Sequence, residues 1–98
     1  MIERELDGRR ISVWGDENHY TIVVDLRVGV SFDDERVEAI AGSVRTGQDA
    51  YPAFSLRDGR LAGYTLDREA YDIFEQHDVV ARIALVILAA EAVEAAAR

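Results

Sequence analysis

Between Tyr20 and Val30 the hydrophobic residues fall on even positions. Tyr20, Ile22, Val24, Leu26, Val28 and Val30 alternate with Thr21, Asp25, Arg27 and Ser31, and Val23 is the exception. A period of two predicts a strand with one buried face and one wet face. Upstream, residues 2–6 and 9–14 read as extended segments joined by Asp7-Gly8. Asp-Gly favours a type I′ hairpin turn, because both turn positions need φ > 0. Gly15-Asp16-Glu17-Asn18 is a second turn cluster. The N-terminal third therefore predicts a three-stranded antiparallel meander.

The period then changes. Val37, Ile40, Ala41 and Val44 lie at helical spacing and form one apolar stripe. Ser31 with Asp34 resembles a capping box, and Asp33, Asp34 and Glu35 suit the positive end of a helix dipole. Gly47 is the expected left-handed cap, which gives a helix over 33–46. Asp58-Gly59 sets a second hairpin between Ala53–Arg57 and Arg60–Leu66, and Pro52 belongs at its strand start or edge.

From Asp67 to Arg98 there is neither Gly nor Pro. Asp78 is a candidate N-cap dividing this region into helices at 67–77 and 79–97. From Val79 to Ala90 only Arg82 interrupts the apolar residues, and a helix apolar all round needs cover on more than one side. One side, Val80, Ala81, Ala84, Ile87 and Leu88, continues the line of Ile73 and Phe74 and is expected to cover the sheet. The other, Val79, Ile83, Val86, Ala90 and Val93, is expected to be a homodimer interface about a two-fold axis, unless the helix at 33–46 packs there. The order β-β-β-α-β-β-α predicts an α+β fold in one domain, 1–98. Its sheet would be antiparallel and five-stranded, with helices on one face.

Charge narrows the partners. The chain carries 19 acids against 11 bases, a net charge of −8. That balance argues against direct nucleic-acid binding and fits a basic protein partner. Every base is Arg, which suggests a GC-rich prokaryotic or phage source. The sequence has no Cys, so thiol catalysis, disulfides and Cys-based zinc sites are excluded. The N-terminus has no apolar leader, and the apolar run near the C-terminus is shorter than the roughly 20 residues of a membrane span. The expected location is the cytoplasm.

Candidate chemistry is sparse. His19 beside Asp16 and Glu17 is most simply part of a turn, and His77 a residue at the core boundary. Glu69, Asp72, Glu75 and Asp78 recur every three residues and form an acidic ridge. Such a ridge is a solvated face or, on the sharper reading, the docking surface for a basic partner. Trp14, His19 and Tyr20 flank one turn and could line a small-ligand pocket; strand aromatics more often pair in a core. No Gly-rich phosphate loop, metalloprotease, serine-hydrolase or calcium-loop motif is present. No catalytic residue, metal or cofactor is expected.

The short helix Val37-Glu38-Ala39-Ile40-Ala41, the hairpin from Ala53 to Leu61 and the long terminal helix together resemble the type III secretion chaperone-like superfamily. The resemblance runs from about Val37 onward and includes the order of three strands, helix, hairpin and helix, but the family's N-terminal helix is absent from this sequence. It implies a small, acidic, dimeric, non-enzymatic binder of other proteins. The expected function is thus a protein-binding module acting as adaptor, chaperone or stoichiometric inhibitor. The alternative is a ligand-binding or catalytic domain using the sheet aromatics and His19.

Overall fold

Two Asp-Gly turns set the registers of the sheet. Asp7 and Gly8 have φ of 53° and 75°, and Asp58 and Gly59 have φ of 52° and 75°. These are the left-handed values that a two-residue type I′ turn requires. The first turn joins β1 (Ile2–Leu6) to β2 (Arg9–Gly15) with Leu6 opposite Arg9; the second joins β4 (Ala53–Arg57) to β5 (Arg60–Thr65) with Arg57 opposite Arg60. The central strand β3 (Tyr20–Asp25) pairs with β2 and β5, giving one antiparallel sheet of order β1-β2-β3-β5-β4. A computed structural model describes residues 2–15, 20–44, 53–65 and 78–98. Helix α1 (Asp34–Ala41), a 3-10 turn (Gly42–Val44) and helix α2 (Asp78–Ala97) complete the described elements. The fold is α+β with the expected element order.

The core lies between the sheet and the helices. Ile11, Val13, Ile22, Val24, Phe54 and Leu61 from the strands meet Val37 and Ala41 of α1 and Val86, Ala89, Ala90 and Val93 of α2. Gly63 lets α2 come close. A Cβ there would stand 2.8 Å from Val86 Cγ2 and 3.2 Å from a Phe54 ring carbon.

Three local expectations need correction. First, β3 ends at Asp25, and its two faces are not dry and wet: Thr21 and Val23 are buried along with Ile22 and Val24. The strand is central, and its neighbours on the second face are small. Val23 lies between Ser12 and Ala62 in register. Arg60 Nη2 and Glu3 Oε1 both reach the Ser12 hydroxyl at 3.1 Å, so long side chains close over that face. Second, the cap of α1 is Asp33, not Ser31. Asp33 is extended and its carboxylate accepts the Arg36 amide at 2.8 Å, the bond an N-cap exists to make. The helix stops at Ala41 with Gly42 as its C-cap, while Gly47 lies outside the described residues. Third, Val86, Ala90 and Val93 of the terminal helix face the core of one chain, as described below. The helix expected over 67–77 also lies outside the described residues.

The two described helices do not between them span the five strands. Strands spaced about 4.8 Å apart make a sheet roughly 24 Å wide, whereas two helices about 10 Å across shield roughly 20 Å. Helix α1 lies against β4, and α2 lies across β3 and β5. Among the described elements neither helix packs closely on the edge strand β1, and residues 3–8 are all exposed.

Candidate functional site

The uncovered strip is apolar. Leu6 and Leu88 are 52% and 53% exposed, and they are the exposed large hydrophobic residues among those described. Both line one open groove of about 400 Å³ between β1 and α2, whose other walls are Ile83, Ala84 and Ile87. Every lining residue is aliphatic. The groove offers no acid, base or nucleophile; what it can do is bury apolar surface of something else.

This geometry corrects the expected dimer interface. Val86, Ala90 and Val93 are fully buried within one chain, and Ile83 is half-buried against the same core. Ala84 and Leu88, assigned to cover the sheet, face outward instead. The reason is that α1 and the sheet together bury the side containing Val86, the alternative the sequence left open. Val79 lies in α2, but its side chain falls outside the description. Of the expected pocket of Trp14, His19 and Tyr20, the backbone of Trp14 and Tyr20 lies in β2 and β3, and the three side chains lie outside the described residues. By register Trp14 pairs with Thr21 and Gly15 with Tyr20. His19 lies outside the described residues, as do Glu69, Asp72 and Glu75 of the acidic ridge; Asp78 is the first residue of α2.

Beside the groove lies an ion pair that the sequence reading missed. Arg9 and Glu94 are buried, with side chains 2% and 4% exposed. They pair in bidentate fashion, both nitrogens donating to the carboxylate at 2.9 Å. Arg9 Nη1 also donates to the Asp25 carbonyl at 2.5 Å, and the Arg27 amide donates to Glu94 Oε2 at 2.5 Å. Burial pushes the Glu94 carboxyl up, but the bonds from Arg9 and the Arg27 amide, with the nearby charges of both arginines, pull it below the ordinary carboxylate range. Arg9 is held above its ordinary value, chiefly by its bond to Glu94. A signal for this pair was present. Arg9 shares strand parity with Ile11 and Val13, and Glu94 follows Ala90 by one helical turn. Opposite charges at inward positions of two elements must meet or neutralise.

Across the sheet a second cluster surrounds the Asp25 carboxylate. Arg60 Nε lies 2.5 Å and Arg10 Nη2 3.5 Å from Oδ1. Among the described residues no group of three or more candidate ligands could hold a metal ion, and no helix is long and apolar enough to cross a membrane. No protein-family model, curated protein or solved structure matches this chain.

Proposed function

We propose that this protein is a small protein-binding module, an adaptor, chaperone-like protein or stoichiometric inhibitor, that docks a basic partner beside the groove between β1 and α2. The carrying observation is that Leu6 and Leu88 stand more than half exposed on the walls of one aliphatic groove. Exposed apolar residues gathered on one surface mark an interaction site more often than scattered ones do. The groove is open to solvent and not enclosed, which suits a segment of another protein better than a small ligand buried on most sides. The net charge of −8, with Glu3 and Glu5 on the adjoining strand, favours a basic partner and a fast, salt-sensitive encounter.

The test is selection of binding peptides from a random library against the intact protein, followed by titration with Leu88→Glu. Binders enriched in Arg, Lys and aliphatic residues, losing affinity on Leu88→Glu at unchanged melting temperature, are expected. Leu88 is exposed, so its replacement should leave the core intact. Binders whose affinity ignores Leu88→Glu would remove the groove from the function.

A further inference from the structure

The two hairpins are built alike, and that likeness shows which edge of the sheet is open. Each closes on a two-residue Asp-Gly turn, and pairs alternate between hydrogen-bonded and non-bonded along an antiparallel ladder. Phe54 stands three residues before the Arg57–Arg60 closing pair. Glu3 stands three residues before the Leu6–Arg9 closing pair. Both therefore turn their backbone groups away from the hairpin partner, to the outside of the sheet. At the β4 edge this group is taken: the Phe54 amide donates to Glu38 Oε2 of α1 at 2.7 Å. A helix packed on the core thus guards that edge.

At the β1 edge nothing equivalent stands among the described residues. Arg4 Nη1 reaches the Glu3 carbonyl at 2.8 Å, but this is an exposed side chain folded onto its own neighbour. A partner's amide can replace it. Glu5, two residues on, presents its backbone in the same direction. The aliphatic groove lies on the helix side of this same strand, sharing Leu6.

We propose that β1 is a strand-addition edge, and that its occupant is an extended segment of a partner protein alternating basic with aliphatic residues. The pattern follows from the two faces of β1. Glu3 and Glu5 lie on the open face, so the added strand places cations beside them. Alternate residues of that strand fall on the helix side and enter the groove beside Leu6, Ile87 and Leu88. A second copy of this chain is a poor occupant. An antiparallel β1–β1 pairing centred on Arg4 would set Glu3 against Glu5 twice, like charges directly opposed. This inference rests on the groove reading and adds the backbone ladder and the charge rule to it.

The probe is a short synthetic peptide alternating arginine and leucine, titrated against the intact protein by fluorescence anisotropy, with amide hydrogen exchange read by NMR. Binding should slow exchange at the Glu3 and Glu5 amides. Glu3→Arg with Glu5→Arg should weaken it roughly tenfold and restore binding to a peptide alternating glutamate and leucine. N-methylation of the peptide amides on the side facing β1 should abolish binding. A peptide that loses affinity on Leu88→Glu yet leaves the Glu3 and Glu5 amides unprotected would overturn strand addition while keeping the groove. A peptide indifferent both to Leu88→Glu and to the charge reversal would overturn both. A concentration-dependent dimer that protects the same amides without peptide would make a second copy the occupant and overturn the basic-segment assignment.

Discussion

Arg9 and Arg10 are neighbours on β2 and point to opposite faces of the sheet. Both lean on Asp25, Arg9 on its carbonyl at 2.5 Å and Arg10 on its carboxylate at 3.5 Å. Arg9 is 2% exposed and shares a two-pronged bond with Glu94, whereas Arg10 is 55% exposed. The same cation one residue apart therefore does two different things. Under the helices it is a fixed joint tying β2, the segment after β3 and α2 together. On the open face it is one contributor to a solvated charge cluster. What separates the two is desolvation: a buried charge that loses its partner has no water to turn to.

The largest expected effect tests the buried side. Glu94→Gln should destabilise the protein by about 3–5 kcal/mol, because it strands the Arg9 charge beneath α2. Arg9→Met with Glu94→Leu should cost much less than either single change, since no charge is then left alone. Urea unfolding of the three variants decides the matter; an additive double mutant would show that the pair is not coupled. The pH dependence follows from the direction of the Glu94 shift. Its folded carboxyl is held below the ordinary range, so its contribution is complete above the unfolded pKa and is lost as pH falls through the folded one. A protonated Glu resembles Gln, so wild type and Glu94→Gln should converge as pH falls below the ordinary carboxylate range and through the lowered folded pKa.

The architecture was legible in the sequence because it rests on short-range rules. Asp7-Gly8 and Asp58-Gly59 announced their turns, the spacing from Val37 to Val44 announced α1, and the element order followed. The Arg9–Glu94 pair and the groove were not read, for a physical reason. Both depend on which side of an all-apolar helix faces inward. Periodicity gave two candidate sides of α2, and continuity with Ile73 and Phe74 favoured the side on which Ala84 and Leu88 prove exposed. The choice came from Gly63, whose missing Cβ admits Val86, and from α1, which packs on α2 and shares its core cluster. The wet face expected for β3 failed because alternation reports side-chain chemistry, and Thr21 and Val23 are covered by neighbours from other strands.

That role of Gly63 supplies the next largest effect, again on the helix face. Gly63→Ala should destabilise by about 1–3 kcal/mol, the usual cost of overpacking a filled core. The backbone there has no positive φ, so the whole cost would be steric, against Val86 and Phe54. Combining Gly63→Ala with Val86→Ala should recover part of the loss, since the second change removes the methyl group that the new Cβ meets. A neutral Gly63→Ala by thermal melting would mean that α2 sits farther from β5 than the geometry shows.

The smallest effect belongs to the open face and closes the comparison. Arg10→Ala should change stability by less than about 1 kcal/mol, because a half-exposed cation at 3.5 Å from its partner gains little over hydration. Asp25 would keep Arg60, which approaches it more closely at 2.5 Å and is itself only 17% exposed. The small loss should shrink further in molar salt, where the screening length falls to about 3 Å. The deficit of Glu94→Gln should persist under the same salt, since counter-ions do not enter the buried site. Melting both variants at low and high salt therefore separates the two arginines by a property other than magnitude. An Arg10→Ala deficit that is large and salt-insensitive would mean that the open face is as desolvated around Arg10 as the helix face is around Arg9.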